Sequence, residues 1–198
     1  IVDSTADFSA KEIEKRQITC IPMTVTFGNE QYIDGVDLTK EEFFVKLTNE
    51  KEFPKTSQPS PAKFADCFEE AKENGDDVVA ILVSGALSGT VQSATIAKDI
   101  AEHDGVYIVD SKSATLGIRL LVDRAVRMRD QGKSAKEIAE ALDELKARVR
   151  LFAGLDTLEY LQKGGRISKT AASIGRLAGS KPIITIDEEG KVAVCGKQ

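Results

Sequence analysis

The sequence predicts an α/β fold: a parallel central sheet with helices on both faces, plus the start of a smaller α+β second domain. Three observations carry this. Short apolar runs alternate with amphipathic helical patterns along most of the 198 residues, the strand–helix–strand order that gives parallel pairing with right-handed crossovers. Residues 78–83 and 106–109 are unbroken apolar runs, as expected of strands covered on both faces. From about Lys163 the texture changes to Gly164-Gly165, a small-residue helical stretch and two short apolar runs around an Asp187-to-Gly190 turn, which reads as a β-hairpin. The division is therefore an α/β domain over 1–162 and the beginning of a second over 163–198. A lone hairpin is marginal, so the second unit is expected to be truncated.

Element by element, Ile1-Val2 ends a strand and residues 3–7 form a polar loop. Ser9 with Glu12, Thr39 with Glu42, and Ser134 with Glu137 have the spacing of capping boxes that start helices. Residues 18–27, rich in β-branched side chains, read as one strand, and Gly28-Asn29 as the turn before Tyr32-Ile33. Ser60-Pro61 places a serine cap ahead of a proline in the first helical position. Phe64, Cys67, Phe68 and Ala71 then recur at i, i+3, i+4 and i+7, a buried helical stripe that Gly75 ends. Helices are expected over 93–101 and about 113–129, and residues 151–153 as the last strand of the alternating set.

Composition excludes several function classes. Twenty-seven Lys+Arg against 32 Asp+Glu give a net charge of −5, whereas nucleic-acid binders and membrane-surface proteins usually carry a basic excess. Any membrane contact is expected to be transient. The longest apolar run, 78–83, falls far short of the ~20 residues that span a bilayer. No apolar leader with a basic flank is present, and opening on Ile1 reads as a trimmed start. Cys20, Cys67 and Cys195 are odd in number and far apart, and His103 is the only histidine. Neither a disulfide framework nor a zinc site is expected, and the chain is placed in a reducing cytoplasm.

In open parallel sheets, ligands bind beyond the carboxyl ends of the strands. Residues 3–7, 84–90 and 110–115 fall there, and a fourth polar stretch, 56–60, lies immediately before a helix. The loop Ser84-Gly85-Ala86-Leu87-Ser88-Gly89-Thr90 is the most informative. Its glycines allow close backbone approach, and a helix N-terminus offers unpaired N–H groups to an anionic oxygen. Equally, Ser88 or Thr90 could do no more than cap the helix. The loop lacks the lysine of a Walker motif and is not G-x-G-x-x-G; Asp110 ends the next strand but is a weak match to a dinucleotide pattern. Without a cation, the loop suits a carboxylate better than a triphosphate.

Ser88 has the wrong spacing for a nucleophile elbow. His103 sits about 15 helical residues away, some ~22 Å at ~1.5 Å per residue, and reads as an exposed residue at the helix end. Asp3/Asp7 and Asp34/Asp37 are candidate Mg²⁺ pairs, although such residues more often cap helices and close turns. Lys163, Arg166, Lys169, Arg176 and Lys181 form a basic excess, either a solvated face or a docking patch in which Gly164-Gly165 presents Arg166 as a forked donor.

Six segments in order resemble the DegV family. They are residues 3–7 (Asp-Ser-Thr-Ala-Asp), Ile21-Pro22-Met23 through Asp37, Thr56-Ser57-Gln58-Pro59-Ser60-Pro61, Leu87-Ser88-Gly89-Thr90 through Ala94, Val109-Asp110-Ser111, and Leu158 through Gly164-Gly165-Arg166-Ile167. The resemblance spans essentially the whole chain. It implies a carrier that is not itself an enzyme, burying one long-chain fatty acid and presenting it to a separate ATP-dependent fatty acid kinase for acyl-phosphate formation. By the same resemblance, Thr56, Ser88 and the Gly89 amide hold the carboxylate, and Arg166 lies near it or on the kinase-facing surface. No catalytic residue, metal or cofactor is expected. The family's second domain runs past the position of Gln198 and usually supplies a histidine near the head group, so the chain reads as a fragment with a partly open site. Two other readings compete: a small-molecule phosphotransferase using the 84–90 loop, and an α/β adaptor whose hydroxyl loops only cap helices.

Overall fold

The computed structural model describes residues 1–50, 52–168 and 181–197. In chain order they form β1 (Val2–Asp3), a 3₁₀ turn (Ser4–Ala6), α1 (Ala10–Arg16), β2 (Cys20–Ile21), β3 (Thr24–Phe27), β4 (Glu30–Ile33), α2 (Lys40–Asn49), β5 (Lys55–Ser57) and α3 (Pro61–Asn74). There follow β6 (Val78–Leu82), α4 (Thr90–Ala101), β7 (Val106–Asp110), α5 (Leu116–Asp130), α6 (Ala135–Lys146), β8 (Phe152–Gly154), α7 (Glu159–Lys163), β9 (Pro182–Ile186) and β10 (Val192–Lys197). The small-residue stretch predicted after Arg166, with Lys169 and Arg176, lies outside the described residues.

The central sheet has the order β2-β1-β6-β7, and its strands pair in parallel. Side chains alternate across it, as a pleat with a two-residue period requires. Val78, Ala80 and Leu82 face the layer containing Phe64 and Phe68 of α3 and Ala94 and Ala97 of α4. Ile81, Val83 and Val109 face Ile118, Leu121 and Val122 of α5 and Ile138 and Leu142 of α6. Both faces are thus covered, which is why the strand sequences are apolar throughout.

The helix starts follow the sequence signals. Ser9, Thr39 and Ser134 close capping boxes with Glu12, Glu42 and Glu137, and the Ser60 hydroxyl accepts from the Lys63 amide ahead of Pro61. Gly75 ends α3 at φ +75°, a left-handed conformation that glycine adopts without strain. Arg119 of α5 binds Glu12 and lies 4.3 Å over the Phe8 ring, fastening α1 to α5.

Three sequence expectations are corrected. Residues 18–27 are two strands in different sheets: β2 edges the parallel sheet, while β3 lies centrally in an antiparallel sheet ordered β4-β3-β5. Pro22, which has no N–H to donate to a ladder, separates them. Part of the polar stretch before α3 is itself a strand, β5, pairing Thr56 with Val25. Residues 152–154 leave the alternating set and pair antiparallel with β9, inside a sheet ordered β10-β9-β8. The hairpin of β9 and β10 is present as expected. Among the described residues, no helix is long and apolar enough to cross a membrane.

The α1 capping box makes one acid-sensitive contribution. Hydrogen bonds from the Ser9 amide, then from Arg119 and the Ser9 hydroxyl, pull the Glu12 carboxyl down to about 2, against roughly 4.3 in an unfolded chain. The folded state therefore binds this proton less readily, so the contribution is present above about pH 4 and is lost as pH falls towards 2. The melting temperature of Glu12→Gln should decline less steeply than that of the parent over this interval. Parallel pH curves would remove Glu12 from the account.

Candidate functional site

The carboxyl ends of β1, β6 and β7 gather the three loops expected there, and buried polar groups fix each one. Asp3 is fully buried at the end of β1. Its Oδ2 accepts from the Val83 amide (2.8 Å), and its Oδ1 accepts from the Thr5 amide (2.9 Å) and the Thr5 hydroxyl. Burial pushes its carboxyl pKa up, opposed by these hydrogen bonds. Asp3 thus ties the first loop to the end of β6, while Asp7 pairs with Lys40 at 2.6 Å. Asp37 accepts from the Ile33 amide within a turn, so these acids act as cap and turn formers. Asp110 accepts from the Gly85 amide (3.2 Å) and the Lys112 amide (2.9 Å), linking the second loop to the third.

The second loop is a tight turn in which the Leu87 and Ser88 amides both donate to the Ser84 carbonyl, at 2.9 and 3.1 Å. It delivers the chain into α4, whose N-cap, Gly89, provides no side-chain hydrogen bond. α1, α2, α3 and α6 all receive one. The first amides of α4 therefore keep their partial positive charge without a capping side chain to accept from them. Beside this end, the Ser88 and Thr90 hydroxyls lie 2.8 Å apart. Thr90 is fully buried and donates to the Met23 sulfur at 3.8 Å. The Met23 amide in turn donates to the Ser4 hydroxyl at 3.1 Å.

Thr56 is exposed on β5, and Gln58, two residues on, brings this strand to α4. The Gln58 amide occupies the space a Cβ on Gly89 would need, and its Nε2 donates to the buried Ser93 hydroxyl at 3.1 Å. Residues two apart on an extended segment share a face, and the Pro59 that follows favours extended backbone at Gln58. Within β5 itself, Thr56 lies opposite Val25 and so shares the Val25 face of that sheet. Ser88 and Gly89 are half-buried at the start of α4.

Arg166 is exposed, and its Nε donates to the Leu87 carbonyl at 3.2 Å and its Nη1 to the Gly164 carbonyl. It staples the glycine turn to the 84–90 loop and is not poised as an unattached fork. The expected basic patch is similarly divided, with Lys163 paired to Glu159 and Lys181 to Asp156. Between the loop and the hairpin opens a cleft of about 450 Å³, lined by Leu87, Arg166, Ile167, Asp187, Lys191 and Val192. Ile167 and Val192 continue into an apolar cluster with Leu158, Ile184 and Val194. At the hairpin tip, Gly190 (φ +82°) presses against the Ser84 hydroxyl where no Cβ would fit.

A larger cavity, about 570 Å³, opens at the amino ends of the strands, with Ile1, Thr19, Cys67, Glu70, Asp76 and Arg129 in its wall. None of Thr56, Ser88, Gly89 or Arg166 reaches it. His103 follows α4 at this same end, half-buried, with its Nε2 2.9 Å from the Asp76 carbonyl oxygen. The expectation that it is exposed is corrected, because its ring packs into the turn before β6. Gln58 and Met23, absent from the predicted site, turn out to join its parts. The only sequence signal was their place inside the polar 56–60 stretch and beside Pro22.

Fold and site together define an α/β protein with hydroxyl-bearing loops at the carboxyl edge of a parallel sheet, and a cleft between the 84–90 loop and a small antiparallel sheet whose wall includes Arg166 but none of Thr56, Ser88 or Gly89. The chain belongs to the DegV family, described as one of uncharacterised proteins, whose match covers residues 1–198. A DegV domain-containing protein of Caldanaerobacter subterraneus is 39% identical over 197 residues, spanning 100% of this chain and 70% of its own length. A stearic acid-binding protein from Eubacterium ventriosum superposes with a TM-score of 0.90 at 36% identity, covering 100% of this chain and 69% of that one. A fatty-acid-binding DegV family protein from Thermus thermophilus gives 0.87 at 36% identity, covering 99% and 69%.

The Gly89–Gln58 contact gives a sharp expectation. A methyl group in Gly89→Ala must displace the Gln58 amide, an exposed side-chain end that can swing aside, so chemical denaturation should show a modest loss of about 0.5–1.5 kcal/mol, that of the Gln58–Ser93 hydrogen bond. Adding Gln58→Ala should add little to that loss, because the two sites share one contact. Strictly additive effects would show that the amide does not rest there.

Proposed function

We propose that the chain binds one long-chain fatty acid and presents it to a separate ATP-dependent kinase, which forms the acyl phosphate. The observation that carries this reading is the start of α4, which lacks a side-chain cap and stands beside the Ser88 and Thr90 hydroxyls, next in the chain to Leu87 in the wall of the cleft. A carboxylate there accepts from the Ser88 hydroxyl and the Gly89 amide, with Thr56 reaching from β5 and Arg166 at the rim. The tail follows Leu87, Ile167 and Val192 towards the apolar face of β9 and β10. The fatty acids named for the Eubacterium ventriosum and Thermus thermophilus relatives support the ligand class.

The energetics divide the labour. Each buried CH₂ contributes roughly 0.8 kcal/mol, so the tail dominates affinity. Neutral hydroxyls orient the head group without locking it in an ion pair, leaving an oxygen able to attack a phosphoryl donor. The chain then needs no base of its own. We place it in the cytoplasm, consistent with its unpaired cysteines.

Native mass spectrometry of protein expressed in bacteria should find about one retained fatty acid per chain. Thr56→Ala and Ser88→Ala should keep most of that retention while acyl-phosphate formation by a bacterial fatty acid kinase falls by about 10-fold or more. Equal loss of both activities would contradict the division of labour. Absence of any retained lipid in the parent protein would contradict the carrier itself.

A further inference from the structure

We propose that Thr90 is a positioning residue that sets the direction of the Ser88 hydroxyl proton and thereby makes Ser88 a donor to the ligand head group. This inference rests on the head-group site proposed above. The Thr90 hydroxyl has one proton and two hydrogen-bonding neighbours, the Met23 sulfur at 3.8 Å and the Ser88 oxygen at 2.8 Å. Thr90 is fully buried and Met23 only 7% exposed, so bulk water does not compete for that proton. Two arrangements follow. With the Thr90 proton on sulfur, Ser88 donates to Thr90, and its own proton is occupied inside the protein. With the Thr90 proton turned to Ser88, the Ser88 proton is released towards the end of α4.

Only the second arrangement serves a carboxylate, which accepts hydrogen bonds and donates none. The rearrangement gives up a bond to a thioether, a weak acceptor, and gains a charge-assisted bond at the ligand. Donation from Thr90 also polarises the Ser88 O–H, strengthening it by the cooperativity expected of hydrogen-bond chains, about 10–30%. No atom moves far, because a hydroxyl rotation suffices at both residues. The first arrangement suits the empty pocket or a protonated acid, whose O–H can donate to the Ser88 oxygen. Met23 thus parks the proton, and the arrival of a negative charge calls it over.

The test reads the carboxyl carbon of [1-¹³C]palmitate bound at saturation, by NMR, across a pH titration. Ser88→Ala locates the effect of the lost donor: the bound resonance shifts and its titration midpoint rises, because hydrogen bonds to a carboxylate favour the charged form. Thr90→Val keeps the side-chain shape without the hydroxyl, and should move both quantities in the same direction, the midpoint by about half a pH unit. Thr90→Ala, if the valine variant folds poorly, should do the same. Thr90→Ser should restore the parent values, which a purely packing role for Thr90 does not predict. A Thr90→Val titration that coincides with the parent, while Ser88→Ala is displaced, would overturn the relay and leave the head-group site standing. A Ser88→Ala titration that coincides with the parent would overturn both.

Discussion

A parallel strand feeding a helix directs the first amides of that helix at whatever lies beyond the sheet edge. Among the described helices, α1, α2, α3 and α6 have a serine or threonine that receives those amides at once, while α4, α5 and α7 have none. At α4 none does, and a partial positive charge is left standing at the carboxyl edge of the central sheet. The arrangement of the remaining polar groups follows from that constraint. The Ser84–Ser88 turn brings hydroxyls to the rim of the charge without covering it, and glycine at the cap position lets the Gln58 amide pack against the start of α4.

Holding such an end open requires support from several directions. Asp3 fixes the loop after β1 to the end of β6, and Asp110 fixes the loop after β7 to Gly85. Gln58 brings the antiparallel β3–β5 sheet against α4, and Arg166 and Gly190 bring the β8–β10 sheet against the 84–90 loop. The 84–90 loop is thus held by Asp110 of the central sheet, by Gln58 next to β5, and by both Arg166 and Gly190 from the side of the β8–β10 sheet. The polar loops thus stand at the edge of the parallel sheet, with the apolar cluster of Leu158, Ile167, Ile184, Val192 and Val194 on the side of the smaller one.

Much of this was legible in the sequence because the signals are local. The Ser-x-x-Glu and Thr-x-x-Glu spacings, Ser60-Pro61 and the terminal Gly75 each act within one turn of backbone, and the structure places the elements where they indicate. The alternating pattern also fixed the carboxyl-edge loops, and with them Ser88 and Gly89. Tertiary choices were not legible. Whether residues 18–27 form one strand or two depends on which sheet each half joins, and only Pro22 hinted at the break. Residues 152–154 have the same apolar texture as a central strand, yet pair with a hairpin that begins nearly 30 residues later. Gln58 and Met23 belong to the site through contacts across 35 and 67 positions of chain, a relation that no spacing rule encodes.

The central claim is that a negatively charged head group sits at the beginning of α4, held by the Ser88 and Thr56 hydroxyls. A crystal structure of the chain with a bound long-chain fatty acid tests it most directly. The account predicts the carboxylate within hydrogen-bonding distance of the Ser88 hydroxyl, the Gly89 amide and the Thr56 hydroxyl, with the alkyl chain running between Leu87 and Val192. A carboxylate seated instead in the cavity at the amino ends of the strands, beside Arg129 and Ile1, would contradict it.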